Sequence, residues 1–282
     1  MSLAAEATSP LFRLELSDAL RSRWLAFTSA AYALVFGAFL WLGLRESAVL
    51  GFTGLSRVVL NVGNAIVITV PLAALVATSQ SIVRARGSGF FELFLTQPCR
   101  RGEWFQAAVA ARFVVIVGPL GLLFLLAAAL GRFVDPADGA LVPMVLRALA
   151  ITAALTWAFL GVGFWVSSVA RTPERATVLS LLCWLVGAAL HDFALIGALL
   201  RFHVPAYGVF ALAALNPVEA ARVAILGSVD PELSVLGPVG FWAANTLGPR
   251  LVLAVGIGWP ALLGTLLLTL AARRLERADL VG

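Results

Sequence analysis

Long uncharged runs rich in Leu, Val, Ala and Phe recur along the chain, and arginine closes nearly every one of them at both ends. An α-helix rises 1.5 Å per residue, so about 20 such residues cross the hydrocarbon of a bilayer. The pattern predicts membrane spans at 24–44, 58–83, 105–131, 143–170, 176–200 and 251–272. The third and fourth rest on uncharged cores at 113–131 and 148–170, and the fifth carries His191 and Asp192 inside it. An even number of crossings puts both termini on the same side.

The stretches between the spans have patterns of their own. Residues 10–23 mix Leu11, Leu14 and Leu16 with Arg13, Glu15, Asp18 and Arg21, which fits either a helix lying in the membrane interface or a plain solvated tether. In the loop 84–104, Phe90, Phe91, Phe94 and Leu95 cluster at helical spacing, Glu92 and Gln97 offer polar contacts, and Pro98 stops the helix. Apolar knobs on such a short helix suit either a groove in a partner or a lipid headgroup layer. The segment 201–250 holds apolar stretches at 204–215 and 233–248, both short for a crossing and broken by Pro205 and Pro238, so re-entrant or surface helices are predicted. Within it Asn216, Pro217 and Glu219 mark a helix start: a cap acceptor, a first-turn proline and an acid three residues after the cap.

Composition agrees with lipid as the solvent: 61% of the 282 residues are hydrophobic and 12% charged, about half the charged share of a soluble domain. The mean hydropathy is +0.98. All 20 basic residues are arginine. A phosphate-binding loop that ends in lysine is therefore excluded, and so is Schiff-base chemistry. The net charge of +5 is dispersed between apolar runs instead of forming a basic stripe, which argues against nucleic acid as a partner. Near the spans, twelve arginines fall on the side of the termini and six on the other. Because positive loops stay in the cytoplasm, both termini are predicted to be cytoplasmic. The expected fold is an all-α integral membrane protein in one domain, 1–282. It has six transmembrane helices, an N-terminal interface helix, a short cytoplasmic helix and a periplasmic helical segment between spans five and six.

Candidate chemistry is sparse. His191 and Asp192 are ionisable groups within a span, where a charge costs about 2.5–3.5 kcal/mol on insertion scales. A proton relay would justify that cost; an interhelical bridge, to Arg112 or Arg147, is the simpler role. Asn61 and Asn64 share a face of the second span and could bridge helices or line a cavity. No metal site is expected, since the only histidines are His191 and His203, the only methionines Met1 and Met144, and the two cysteines, Cys99 and Cys183, are far apart. No nucleophile with a base is evident; Ser167 and Ser168 beside Trp165 make no catalytic group.

The loop 84–104 resembles the cytoplasmic loop of type-2 ABC-transporter permeases through Arg86, Gly87, Glu92, Leu93, Phe94, Leu95, Pro98, Arg101, Gly102 and Glu103. The resemblance implies that this stretch, with Phe90 and Phe91, is a coupling helix seated in a separate cytoplasmic ATPase, which binds ATP and Mg; this chain is expected to bind no cofactor. Ala108 stands where the family often has a lysine, one turn before Arg112. Three further strings, GFTGL at 51–55, HDFALIGALL at 191–200 and LNPVEAAR at 215–222, are similar to permease subunits of nitrous-oxide-reductase maturation systems. That branch implies a homodimer in the bacterial inner membrane, in contact with lipid and with a periplasmic copper-maturation protein. The docking surface would be the segment 201–250, with Asn216, Pro217, Glu219 and Arg222. A general exporter of a lipid, drug or other small amphiphile, and an ATP-independent proton-coupled carrier or channel, are the alternative expectations.

Overall fold

Hydrocarbon offers no hydrogen-bond partners, so a chain this apolar satisfies its backbone within helices. Every regular element among the described residues is helical. The computed structural model describes residues 2–22, 26–35, 37–38, 41, 54–94, 96, 99–134, 139, 141–202 and 204–277.

In chain order the helices are α1 (Ser2–Leu20), α2 (Ala26–Val35), α3 (Gly54–Thr78), α4 (Ser81–Gly87), α5 (Phe90–Phe94), α6 (Arg101–Val134) and α7 (Leu141–Val169). They continue with α8 (Pro173–Leu185), a π-helical turn (Val186–Leu190), α9 (His191–Arg201), α10 (Ala206–Leu215), α11 (Pro217–Val229), a 3-10 turn (Ser234–Leu236), α12 (Gly237–Thr246) and α13 (Gly248–Arg277). Among the described residues five stretches are long and apolar enough to cross a membrane: Ala65–Gly87, Arg101–Ala129, Leu141–Val169, Pro173–Gly197 and Gly248–Arg277. These coincide with the second to sixth predicted spans. Of the first, 24–44, α2 is the main described part, and much of the remainder lies outside the described residues.

α10 and α11 meet at 117°, as a broken span or a re-entrant pair; of the two, only α10 falls on one of the short apolar runs, and α12 falls on the other. The burial falls elsewhere than the apolar runs indicate, however. α11, between the two runs, buries Val218, Ala221, Ala224 and Ile225 against residues of α3 and α7. Its alanines allow close approach, whereas the more hydrophobic α10 buries Val209 and exposes Tyr207 and Leu215.

α7 is the central helix, packed against α3, α6, α11 and α13. Lipid tails are as apolar as leucine, so helices here are held by close packing between small residues. The crossing of α7 and α13 brings Gly161 against Gly264: a Cβ added at Gly161 would lie 2.7 Å from the Gly264 carbonyl oxygen, and one at Gly264 would lie 2.5 Å from the Trp157 carbonyl oxygen. Beside the contact Trp157 Nε1 donates to Thr265 Oγ1 at 3.0 Å.

Gly161→Leu or Gly264→Leu is therefore expected to force the two backbones apart and destabilise the bundle by at least about 1–3 kcal/mol. Thermal unfolding in detergent should show this, whereas Gly118→Ala, at a position with nothing within 4 Å, should leave the midpoint unchanged or raise it slightly.

Candidate partner-coupling site

The bundle end that carries α1 and the C-terminus of α13 also carries the loop 84–104, and the local sequence explains its shape. α3 stops at Thr78, and the chain resumes as α4 after Ser79 and Gln80. Helix starts leave N–H groups without partners; here Ile82 and Val83 donate theirs to Ser167 Oγ at 2.9 and 3.2 Å. Gln80 Nε2 donates to Thr177 Oγ1 at 2.6 Å, tying the break to α8. The last turn of α7 exposes carbonyls with partial negative charge, and Arg86 Nη2 and Arg274 Nε both donate to the Ser168 carbonyl, at 3.0 and 3.2 Å. Ser167 and Ser168 are thus fasteners of α4 and α13.

The turn from α4 to α5 passes through Gly89 at φ +70°, a conformation that favours glycine. Gly87, the glycine singled out by its pattern, is exposed with open space around it. The aromatic rings of α5 gather into one cluster, with Phe90 at its edge. Phe91 and Phe94 are buried with Trp104, Phe105 and Phe164, and Phe91 meets Trp104 edge-on with centroids 5.1 Å apart. Phe90 is half-buried and stacks on Phe94 at 5.5 Å. The two innermost knobs expected to face a partner therefore pack into the chain's own core, because α6 and α7 offer Trp104, Phe105 and Phe164 as a closer apolar surface. Glu92 is left exposed. Leu95 and Pro98 lie outside the described residues.

α6 opens with a reach-back cap, in which the Arg100 N–H donates to Glu103 Oε2 at 3.0 Å. Arg101 Nη1 donates to the carbonyls of Leu275 and Glu276 at 3.3 and 3.4 Å, clamping α6 to the last turn of α13. One turn beyond Ala108, Arg112 pairs with Glu15 of α1 at 3.0 Å, donates from Nε to the Ala77 carbonyl, and lies 5.6 Å from the Phe164 ring centre. Trp104 Nε1 donates to the other oxygen of Glu15 at 2.7 Å. One carboxylate on the interface helix thus closes two donors of α6; the sequence pattern shows Glu15 as polar but gives no sign of its partners.

The polar pair of the fifth span is not bridged to Arg112 or Arg147. Asp192 Oδ2 accepts from Arg222 Nη1 of α11 at 2.9 Å, and the same nitrogen lies 2.5 Å from Glu219 Oε1. Counted from Pro173 at 1.5 Å per residue, Asp192 lies about 28 Å along its helix, close to the far hydrocarbon boundary of a bilayer about 30 Å thick. Its position there and its arginine partner remove much of the cost of a buried charge. His191 Nδ1 and Asp192 Oδ1 are buried without a hydrogen-bond partner among the described residues.

Asn216 caps α11, accepting the Val218 N–H at 3.0 Å, and its amide donates to the Gly187 carbonyl inside the π-helical turn at 2.6 Å. Asn216 and Glu219 are buried and Arg222 is half-buried, so the face expected to meet a periplasmic partner is turned inward and fixes the re-entrant pair to α9. After α11, Asp230 accepts from the Ser234 hydroxyl and from the N–H groups of Ser234 and Glu232, which holds its carboxyl below the ordinary range. The side chains of Asn61 and Asn64 lie outside the described ones.

The described residues thus form a helical membrane bundle with a short helix fastened by its aromatic rings to one end. The chain matches the model of the ABC-2 family transporter proteins over residues 9–280 and belongs to that family; it is an ABC-2-type permease subunit and a multi-pass membrane protein. Among its relatives are two proteins described as "Probable ABC transporter permease protein NosY". That of Pseudomonas aeruginosa is 30% identical over 271 residues, covering 87% of this chain and 95% of the relative. That of Stutzerimonas stutzeri is 27% identical over 259 residues, covering 89% and 90%.

Phe91→Ala should remove a buried ring and cost about 3–5 kcal/mol of stability, while Glu92→Ala, at the exposed corner, should change it by less than about 0.5 kcal/mol. Denaturant unfolding of the two variants in detergent checks this division of α5 into an anchored and a presented side.

Proposed function

We propose that this chain is the membrane permease of an ABC complex whose separate cytoplasmic ATPase docks on the corner formed by α4, α5 and the start of α6, and that the complex serves copper-site maturation of nitrous oxide reductase. The observation that carries the reading is the family match over nearly the whole chain together with the two NosY relatives. Gly87, Phe90 and Glu92 form the presented rim of the docking corner; Phe91, Phe94, Arg101 and Glu103 set its position; Leu95 and Pro98 complete the motif. ATP and Mg are bound by the ATPase and not by this chain. The complex contains two copies of the permease in the bacterial inner membrane, with both termini in the cytoplasm.

Two histidines, two methionines and two cysteines give copper few soft ligands along the spans. The role proposed is therefore mechanical: closure of the ATPase moves α4–α6, and the movement reaches a periplasmic copper-maturation partner through the far end of the bundle. With Asn216 and Glu219 turned inward, the surface available to that partner is the exposed apolar rim of Phe202, Tyr207 and Val235. An exporter of a small amphiphile is the second reading, favoured by a largely apolar groove of 440 Å³ between α6, α7 and α13 that carries Gln106, Thr265 and Thr269.

Glu92→Arg should leave membrane insertion intact and lower recovery of the ATPase with the tagged permease by about tenfold, the equivalent of about 1.4 kcal/mol. Undiminished recovery would remove Glu92 from the contact. A strain lacking this chain should make nitrous oxide reductase deficient in copper. Normal copper content there, with ATPase activity stimulated by an added amphiphile, would favour the exporter.

A further inference from the structure

A cavity of 540 Å³ opens at the same bundle end, between α1, α2, α3, α4, α5 and α6. Its size is that of a small-molecule site, and its level in the membrane is fixed by its walls. The interface helix α1 forms one side, the end of the second predicted span another, and Trp104 in the first turn of α6 a third. Tryptophan at a span end marks the headgroup layer.

The charges on the wall come in two kinds. Glu15 and Arg112 neutralise each other at 3.0 Å. Asp18 and Arg84 also line the cavity and are exposed; among the described residues neither side chain makes a hydrogen bond or an ion pair, although Glu174 lies within electrostatic reach of Arg84. The wall also carries apolar side chains, Val76 of α3 and Ile116 of α6. One available cation, one available anion and these apolar side chains match a zwitterionic amphiphile rather than an anionic one.

We infer that this cavity binds the headgroup of a glycerophospholipid that carries a primary ammonium, of the phosphatidylethanolamine type. The Arg84 guanidinium donates to the phosphodiester, for which its planar fork is suited. The Asp18 carboxylate accepts from the ammonium, whose three N–H donors a quaternary amine lacks. The acyl chains lie along Val76 and Ile116. Phe90 and Trp104 of the coupling corner share the wall, so the lipid acts as a wedge between the interface helix and that corner. The inference rests on the cavity and the membrane fold, and stands whether or not an ATPase docks there.

The test is lipid retention by the full chain, purified in mild detergent, reconstituted in nanodiscs of phosphatidylethanolamine, phosphatidylcholine and phosphatidylglycerol, and analysed by native mass spectrometry. The wild type should retain phosphatidylethanolamine about tenfold more tightly than the other two, a difference of about 1.4 kcal/mol. The double variant Asp18→Asn, Arg84→Gln should lose that preference with an unchanged melting point. Val76→Trp, which fills the cavity and keeps both charges, should lose retention as well. Equal retention of the three lipids by the wild type, or an intact preference in the double variant, would overturn the site. Displacement of the lipid by inorganic phosphate alone would overturn the lipid assignment in favour of a simple anion site.

Discussion

The contact between the backbones of α7 and α13 at Gly161 and Gly264 is the constraint on which the remaining arrangement rests. Nothing in lipid drives helices together as water does, so two spans stay in register only where their backbones come close enough for dispersion forces to accumulate. Once α7 and α13 are fixed there, their ends at the terminal side of the bundle are fixed too. The end of α7 holds α4 through Ser167 and Ser168, and the last turn of α13 holds α6 through Arg101. α5 is suspended between these two attachments, with Phe91 and Phe94 pressed into the rings of α6 and α7. A contact deep in the membrane thus sets the position of a short helix at its surface.

Polar groups act at the margins of this packing. Glu15 joins the interface helix to Trp104 and Arg112, and Arg222 joins α9 to α11 through Asp192. The Arg222–Asp192 pair lies near a span end, where the penalty for a charge is far smaller than at the bilayer centre, whereas Arg112, eleven residues into α6, is neutralised by Glu15. Arg112 also donates to the Ala77 carbonyl next to the α3–α4 break and faces the Phe164 ring. Arg112 thus ties α1, α3 and α6 together beside α5.

Much of the helical architecture was legible in the sequence, because the hydrocarbon thickness imposes a length that uncharged runs between arginines reveal. α10 and α12 were legible as short helices for the same reason, through runs too short to cross, and the start of α11 through the cap at Asn216 with its proline and acid, but the bend between α10 and α11 was not. Which face each residue turns to was less legible. Phe91 and Phe94 look like outward knobs from spacing alone, since a helical wheel does not show that Trp104, Phe105 and Phe164 wait on other helices. Glu219 resembles a surface acid in a capping motif, yet an arginine one turn later, Arg222, draws it and Asp192 into one cluster. The glycine that the turn requires is Gly89, by its φ, while the motif drew attention to Gly87. Long-range partners such as Glu15 with Arg112 leave no periodic trace in either segment.

The docking proposal puts the ATPase on the corner around Glu92. A photo-crosslinking residue placed at position 92 of the permease, in native membranes containing the complete complex, tests it most directly. Phe133, 85% exposed near the opposite end of α6, supplies the control position. The account predicts an ATPase adduct from position 92 and none from position 133. An adduct from position 133, or none from position 92 in a complex that still hydrolyses ATP, would contradict it.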